Sequence, residues 1–513
     1  MICKKNEKKL LILLFAIILI SGLLYYFYTS VDMKNSSNNT NSKTNSNIDW
    51  SIYETNEIEL DGSLVITKEG IYVLSGTLEN GSIEVNTKGN IKIILDNVNI
   101  TNKNGPAINV KNAKNIVIST KEDSVNNLTD GEVFSGYDDS INATIYSKDN
   151  LILEGDGTLI VNSNNENAIV SCNDLIINDG TYKINASIDA LNGKDSVIIK
   201  NGNFEINSTG DAIKSTNDKD EEKGYIEISD GTFNITTNSK SDDESAKGIK
   251  ATNYIVISGG TFNLDTIDDA IHSNNKITIS GGIFEIKSND DGIHTDNELL
   301  IDNGIINIVR SYEGLEAEKI IINDGDIKVY SSDDGINTSS KSDNLATINI
   351  NGGNVYVNSS GDGLDANGSI YISGGVVTVD GPTTDGDGAL DYDNELVITN
   401  GKLIAVGSSG MAQGISNTSS QYGVLINFDK TYQNGSVITI TNSNNEEIMS
   451  YTSTKNFSSL CYSNSNLVNG ESYQVKINGE TVENLTITEI SNTVGNFNNG
   501  PKNMSPNGNR QSR

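Results

Sequence analysis

One tripeptide recurs down the middle of this chain: an acid, a small residue, then an aliphatic. It appears as Asp189-Ala-Leu, Asp211-Ala-Ile, Asp269-Ala-Ile, Asp291-Gly-Ile, Glu313-Gly-Leu, Asp334-Gly-Ile, Asp362-Gly-Leu and Asp387-Gly-Ala. From Asp269 onward the steps are 22, 22, 21, 28 and 25 residues. Asp268, Asp290 and Asp333 place a second acid just ahead of it. His272, His294, Glu316, Asn337 and Asp365 follow three residues later, and Asp391 follows Asp387 by four. Carboxylates repeated at one interval are hard oxygen donors, and Ca²⁺ takes such oxygens at about 2.3–2.6 Å. The candidate calcium ligands are therefore Asp268, Asp269, Asp290, Asp291, Glu313, Asp333, Asp334, Asp362, Asp365 and Asp387. The competing role is structural, because Asp before Gly commonly accepts backbone N–H bonds in a turn. Lys247, in Ala246-Lys-Gly-Ile, stands where the series would carry an acid. His272 and His294 are the only histidines. One interval apart, with no third nitrogen or sulfur donor nearby, they read first as a polar stack on a solvent face and only second as a metal pair.

The element that positions these residues is a repeat. A turn followed by an alternating strand recurs as NDGTYKI at Asn178, KNGNFEI at Lys200, SDGTFNI at Ser229, SGGTFNL at Ser258 and SGGIFEI at Ser280, and continues to TNGKLIAV at Thr399. The turn glycines are Gly157, Gly180, Gly202, Gly231, Gly260, Gly282, Gly304, Gly325, Gly353, Gly375 and Gly401, spaced by 21 to 29 residues. Glycine there supplies a backbone with positive φ. The strand after it alternates apolar and polar residues, so Phe233 and Ile235 point to a core. A second apolar stretch precedes each turn, which makes at least two strands per unit. About 22 residues are too few for a propeller blade, and no leucine-rich signature is present. The fold class expected is all-β: a right-handed parallel β-helix with rungs of about 22 residues, in which equivalent residues lie about 4.8 Å apart. Bare unit charges at that spacing repel by about 0.9 kcal/mol per pair even in water. Such a column invites cations.

The rest of the chain divides by composition. Lys4, Lys5, Lys8 and Lys9 precede an uncharged run, residues 10–28, long enough to span a bilayer. Residues 1–30 are thus expected to be a transmembrane anchor helix or an export signal. Residues 31–48, rich in Asn, Ser and Thr, form a flexible linker. The β-helix takes 49–422, with less regular strands near residues 91–100 and 116–119 as first rungs and cap. A small antiparallel β domain takes 423–490, with turns at Asn434-Gly435 and Asn478-Gly479. Residues 491–513 read as a disordered tail. The expected location is extracytoplasmic, at the cell surface, held by the N-terminal segment or secreted if it is cleaved. Cys172 and Cys461 read as free, buried thiols. A formal net charge of −32 repels nucleic acid and anionic headgroups, so nucleic-acid binding is excluded and cations or cation-bridged ligands are favoured. A monomer is expected.

Several segments resemble a family of clostridial and related carbohydrate-binding β-helix proteins. They are LSGTLENGSIEV at Leu74, ITNKNGPAINV at Ile100, LTDGEVF at Leu128, YSKDNLILEGDGTL at Tyr146, NGKDSVIIKNGNFEI at Asn192, GDAIKSTND at Gly210 and INFDKTYQNGSVITI at Ile426. The resemblance runs from about Ile58 to Ile490. It implies a pectate-lyase-like fold, bound calcium and affinity for polysaccharides such as cellulose or polygalacturonic acid, without implying catalysis. The function expected is calcium-dependent polysaccharide binding. The alternatives are a calcium-dependent polysaccharide lyase, with Lys247 as the first candidate base beside Lys214, Lys250 and Arg310, and a structural or adhesive surface protein.

Overall fold

The computed structural model describes residues 48–238, 245–340 and 346–495. The expected membrane segment, residues 10–28, and Cys3 lie outside them. Among the described residues no helix is long and apolar enough to cross a membrane. The chain divides into two units between Tyr53 and Glu54. Of the first, residues 48–53 are described: Trp50–Ile52 is a single 3-10 turn whose Ser51 N–H donates to Asp49 Oδ1 at 3.0 Å.

The second unit is all-β, and most of its strands stack in parallel. Each full rung has three strands, one more than the repeat requires. Tyr254–Ile257, Thr261–Thr266 and Ile271–Ser273 make one rung. Each of these pairs in parallel with its counterpart in the next rung, Lys276–Ile279, Ile283–Ser288 and Ile293–Ile301. The third strand is only three residues long in most rungs and carries one outward residue between two buried ones, which is too little alternation to read from sequence.

The long strand of each rung buries every second residue, and the core repeats along the stack. Tyr182, Phe204, Phe233, Phe262 and Phe284 pair in register. The four phenylalanine rings stack at 4.6–4.7 Å between centroids, within 4° of parallel, and Tyr182 caps them at 5.1 Å. That is the spacing of adjacent strands, so the sheet itself sets the ring contact. The glycine before each ring is fixed by the same geometry. Gly231 has φ +130°, and a Cβ there would lie 2.9 Å from the Gly202 carbonyl and 3.0 Å from the Phe233 ring. At the first of these turns the expectation fails by two residues: the positive φ falls at Gly155 (+112°), not at Gly157.

Both ends differ from the sequence reading. Parallel stacking begins at Thr55–Leu60, which pairs with Gly70–Leu78, well before residue 91. At the other end Phe457–Asn464 pairs antiparallel with the last parallel strand, Lys402–Gly407, and with Gly423–Tyr432. Ser491–Gly495, assigned by composition to a disordered tail, is a strand parallel to Gly423–Tyr432. The C-terminal segment thus continues the solenoid sheet and covers its open end. A separate four-stranded antiparallel sheet, ordered Glu447–Thr452, Val437–Asn442, Ser472–Ile477 and Glu480–Thr486, packs beyond it. Asn478 and Gly479 both have positive φ (53° and 84°), as a tight hairpin turn requires. Cys172 and Cys461 are free; Cys461 is buried and Cys172 only partly so.

Candidate functional site

Each acid-small-aliphatic motif is a bend between the long strand and the short third strand. The aliphatic residue enters the core: Ile271, Ile293, Leu315, Ile336 and Leu364 are fully buried and in register. The small residue lets the rungs approach; a Cβ on Gly292 would sit 2.6 Å from the Gly314 carbonyl. The acid ties one rung to the next. The Oδ1 atoms of Asp189, Asp211, Asp269, Asp291, Asp334 and Asp362 accept the backbone N–H of the equivalent position one rung on, or in the last case of Gly388, at 2.6–3.1 Å. The cap is therefore inter-rung, whereas the sequence suggested that each acid caps its own turn.

That ladder uses one oxygen of each carboxylate and turns the other, largely buried, toward the short third strand. There it meets the third-strand residues, Asn192, Lys214, Lys250, His272, His294, Glu316, Asn337, Asp365 and Asp391, which pair in one continuous register. The two columns run side by side, and their charge changes along the axis. At the N-terminal end Lys214 Nζ lies 3.1 Å from Asp189 Oδ2 and 2.9 Å from Asp211 Oδ2. Burial alone raises the pKa of Asp211, but Lys214 and Lys250 outweigh it and hold the carboxyl below its ordinary value.

In the middle, Lys247 breaks the ladder. Its Nζ sits 2.6 Å from both Asp268 Oδ1 and Asp269 Oδ2, and Asp268 Oδ1 takes over the capping of the Asp269 N–H at 2.8 Å. Burial favours loss of the ammonium proton, but Asp269 and Asp268 reverse this and raise the pKa. Asp268, Asp269 and Asp290 do come within ligating distance of one another, with the amine already between the first two. His272 Nδ1 lies 2.8 Å from Asp269 Oδ2. His294 Nδ1 stands 3.4 Å from Asp291 Oδ2, 3.4 Å from Glu316 Oε2 and 3.7 Å from Asp269 Oδ2. The side chains of His272 and His294 are only 13% and 25% exposed, so they are not a stack on a solvent face. Asp269, 2% exposed, is desolvated, yet the two imidazoles and Lys247 hold its pKa well below the usual range.

Toward the C-terminal end the balance reverses. Burial and then neighbouring acids push Glu313 up to about 9, Asp362 to about 7 and Asp365 to about 8. Asp334, Asp362 and Asp365 bring one oxygen each within 4.8 Å of the others. Two ligands on opposite sides of a calcium ion stand about 4.6–5.2 Å apart at most, so this trio fits the ion. Gly361 lets the chain pass close by: a Cβ there would lie 2.4 Å from Asp334 Oδ1. Of the remaining candidates, Glu313 accepts from Asn337 Nδ2 at 2.9 Å. Asp333 lies close enough to the Tyr312 hydroxyl to push its pKa up to about 12. Asp387 is near enough to raise Asp362 but is outside the trio.

A groove of about 1450 Å³ follows the columns from Lys247 to Asp334. Tyr312, 48% exposed, lines it. The sequence reading passed over this residue, though there was a signal. It occupies the position ahead of the motif acid that holds Asp268, Asp290 and Asp333 in neighbouring rungs. Two further tyrosines suit sugar stacking less. Tyr225 and Tyr254 lie face to face at 4.8 Å, so each spends a ring face on the other.

The chain is similar to several known proteins. A family model described as carbohydrate-binding domain-containing protein matches residues 60–241, 236–292 and 286–499, in line with the resemblance read from the sequence. A carbohydrate-binding domain-containing protein of Acetivibrio thermocellus is 37% identical over 126 residues. That match takes in 24% of this chain and 44% of the relative's length. Among solved structures, a polysaccharide lyase-like protein from C. thermocellum, described as a gadolinium derivative, aligns with a TM-score of 0.38 at 29% identity. It covers 48% of this chain and 96% of that one.

Proposed function

We propose that this chain, which belongs to the carbohydrate-binding domain-containing protein family, holds an acidic polysaccharide such as polygalacturonate in the groove along its acidic columns, through calcium, and does not cleave it. The observation that carries this reading is the division of labour within each motif carboxylate. One oxygen is fixed in the inter-rung ladder, so the other is held rigidly on the groove side. With a net charge of −32, a polyanion can approach only through a bridging cation. Asp334, Asp362 and Asp365 are the oxygen-only trio suited to it, Asp334 on the groove wall and Asp362 and Asp365 in the next rung beyond it. Tyr312 offers a ring face for a sugar in the same groove. The coil is taken as right-handed, the hand of nearly all parallel crossovers. Residues 10–28 would anchor it outside the cell membrane.

Against catalysis stands Lys247. A lyase needs a base to remove a proton from the uronate ring, and an ammonium gripped by two carboxylates at 2.6 Å keeps its own. The test is binding of the full chain to polygalacturonate and to cellulose in calcium and in chelator, with ultraviolet absorbance followed for unsaturated uronate. Binding to polygalacturonate that is lost in chelator, weakened at least tenfold by Tyr312→Ala and accompanied by no absorbance rise is expected. Calcium-dependent turnover abolished by Lys247→Ala would replace the reading with a lyase. Binding to cellulose alone would move the ligand to a neutral glucan. Recovery of the full chain from a soluble fraction of disrupted cells would remove the membrane anchor.

A further inference from the structure

The two histidines stand apart from an oxygen-only calcium site, and so does the geometry around the second of them. We propose that Asp291, His294 and Glu316 form a binding site for a divalent transition-metal ion, zinc in the first instance, separate from the carboxylate trio at Asp334.

The argument starts from distances. His294 Nδ1 faces three carboxylate oxygens at 3.4, 3.4 and 3.7 Å. An imidazolium N–H donating well to any of them would sit at about 2.7–3.2 Å, so all three contacts are longer than a well-formed hydrogen bond. The two at 3.4 Å, to Asp291 and Glu316, are the right length for ligands sharing a metal. A tetrahedral edge is about 1.63 bond lengths, and Zn–N and Zn–O bonds of about 2.0–2.2 Å therefore place donor atoms about 3.3–3.6 Å apart. An octahedral calcium site has edges of similar length, so the edges alone do not name the ion. The nitrogen does: imidazole suits zinc, copper and nickel, whereas calcium takes oxygen.

The donors are also held in advance. Asp291 Oδ1 accepts the Glu313 N–H of the ladder at 3.1 Å, which restrains its Oδ2. His294 and Glu316 are register partners on adjacent short strands. Asp269 Oδ2 is instead taken up by Lys247 Nζ at 2.6 Å and His272 Nδ1 at 2.8 Å. The ligands come from successive rungs, so a bound ion would also clamp those rungs together.

The proposal is independent of any carbohydrate, and its test uses none. The full chain is stripped with chelator, returned to excess Ca²⁺ and titrated calorimetrically with Zn²⁺. One equivalent should bind despite the calcium. His294→Asn and Asp291→Asn should each weaken that binding at least tenfold. Asn at 291 keeps the Oδ1 that caps Glu313, so that variant should retain its melting temperature in calcium without zinc. Unaltered protein loaded with Co²⁺ should show the intense visible absorption of tetrahedral coordination, a reading that needs no variant. Zinc uptake abolished by calcium, binding unchanged in His294→Asn, or the faint spectrum of octahedral cobalt would each overturn the site.

Discussion

At Asp362 one side chain carries two roles that can be separated. Its Oδ1 accepts the Gly388 N–H at 2.6 Å, and its carboxylate belongs to the Asp334–Asp365 trio. Asn retains an Oδ1 acceptor but not the charge; Ala removes both. Asp362→Ala should therefore cost about 1–3 kcal/mol in chelator, the penalty for a backbone donor left without its partner, while Asp362→Asn costs well under that. In calcium both variants should lose the stabilisation the ion confers. Urea unfolding of the three proteins, with and without calcium, checks this. Equal behaviour of Asn and Ala in chelator would mean the ladder bond contributes nothing. Lys247 is the natural counterpart: its ammonium, 2.6 Å from two carboxylates, already neutralises charge at the rung where the ladder is interrupted.

The strand that most determines the rung is the long one, through the residue behind its turn glycine. Phe233 is fully buried between Phe204 and Phe262, with centroids at 4.7 and 4.6 Å. Phe233→Ala should destabilise by about 3–5 kcal/mol, combining lost transfer energy with the cavity left between two rings that the strand spacing keeps apart. Phe233→Leu, which refills much of that volume, should cost less. Denaturant unfolding measures both. A loss below about 1 kcal/mol for Ala would show that the stack closes over the gap. The short third strand does different work. It holds one outward residue per rung between two core residues, and thereby sets Lys214, Lys250, His272, His294, Glu316, Asn337 and Asp365 in a line.

Over the whole molecule the charge is uneven along the solenoid axis, and this gives a pH dependence of definite sign. Without divalent ions Glu313, Asp365 and Asp362 have folded-state pKa values raised to about 9, 8 and 7, chiefly by burial and then by their acidic neighbours. An acid whose pKa is higher in the folded than in the unfolded chain binds its proton more tightly when folded. The folded state is thus penalised above those values and relieved as pH falls toward the ordinary carboxylate range near about 4. In chelator the melting temperature should rise between pH 9 and pH 5. Bound as proposed, calcium would supply the missing positive charge, so in its presence the high-pH penalty should vanish and acid should instead lower stability by displacing the ion. A flat profile in chelator would show that the acids at this end do not repel one another in the fold.

The sequence by itself determined the period, the glycine turns, the inward rings and the register of the acids. All of these are local: a turn needs its glycine within the same few residues, and an alternating strand declares its buried face over six. Kinship with carbohydrate-binding proteins was legible for the same reason, in short segments such as LSGTLENGSIEV at Leu74. Only the tertiary structure decided which oxygen of each acid caps a neighbour and which faces the groove, because donor and acceptor are typically 22 residues apart. The same holds for the ammonium of Lys247 between Asp268 and Asp269, for the cage of oxygens around His294, and for Tyr312 on the groove wall. It holds too for Ser491–Gly495, a polar segment ordered by pairing with Gly423–Tyr432. Each depends on how far one rung rises and turns relative to the next, a distance that no single rung's sequence contains.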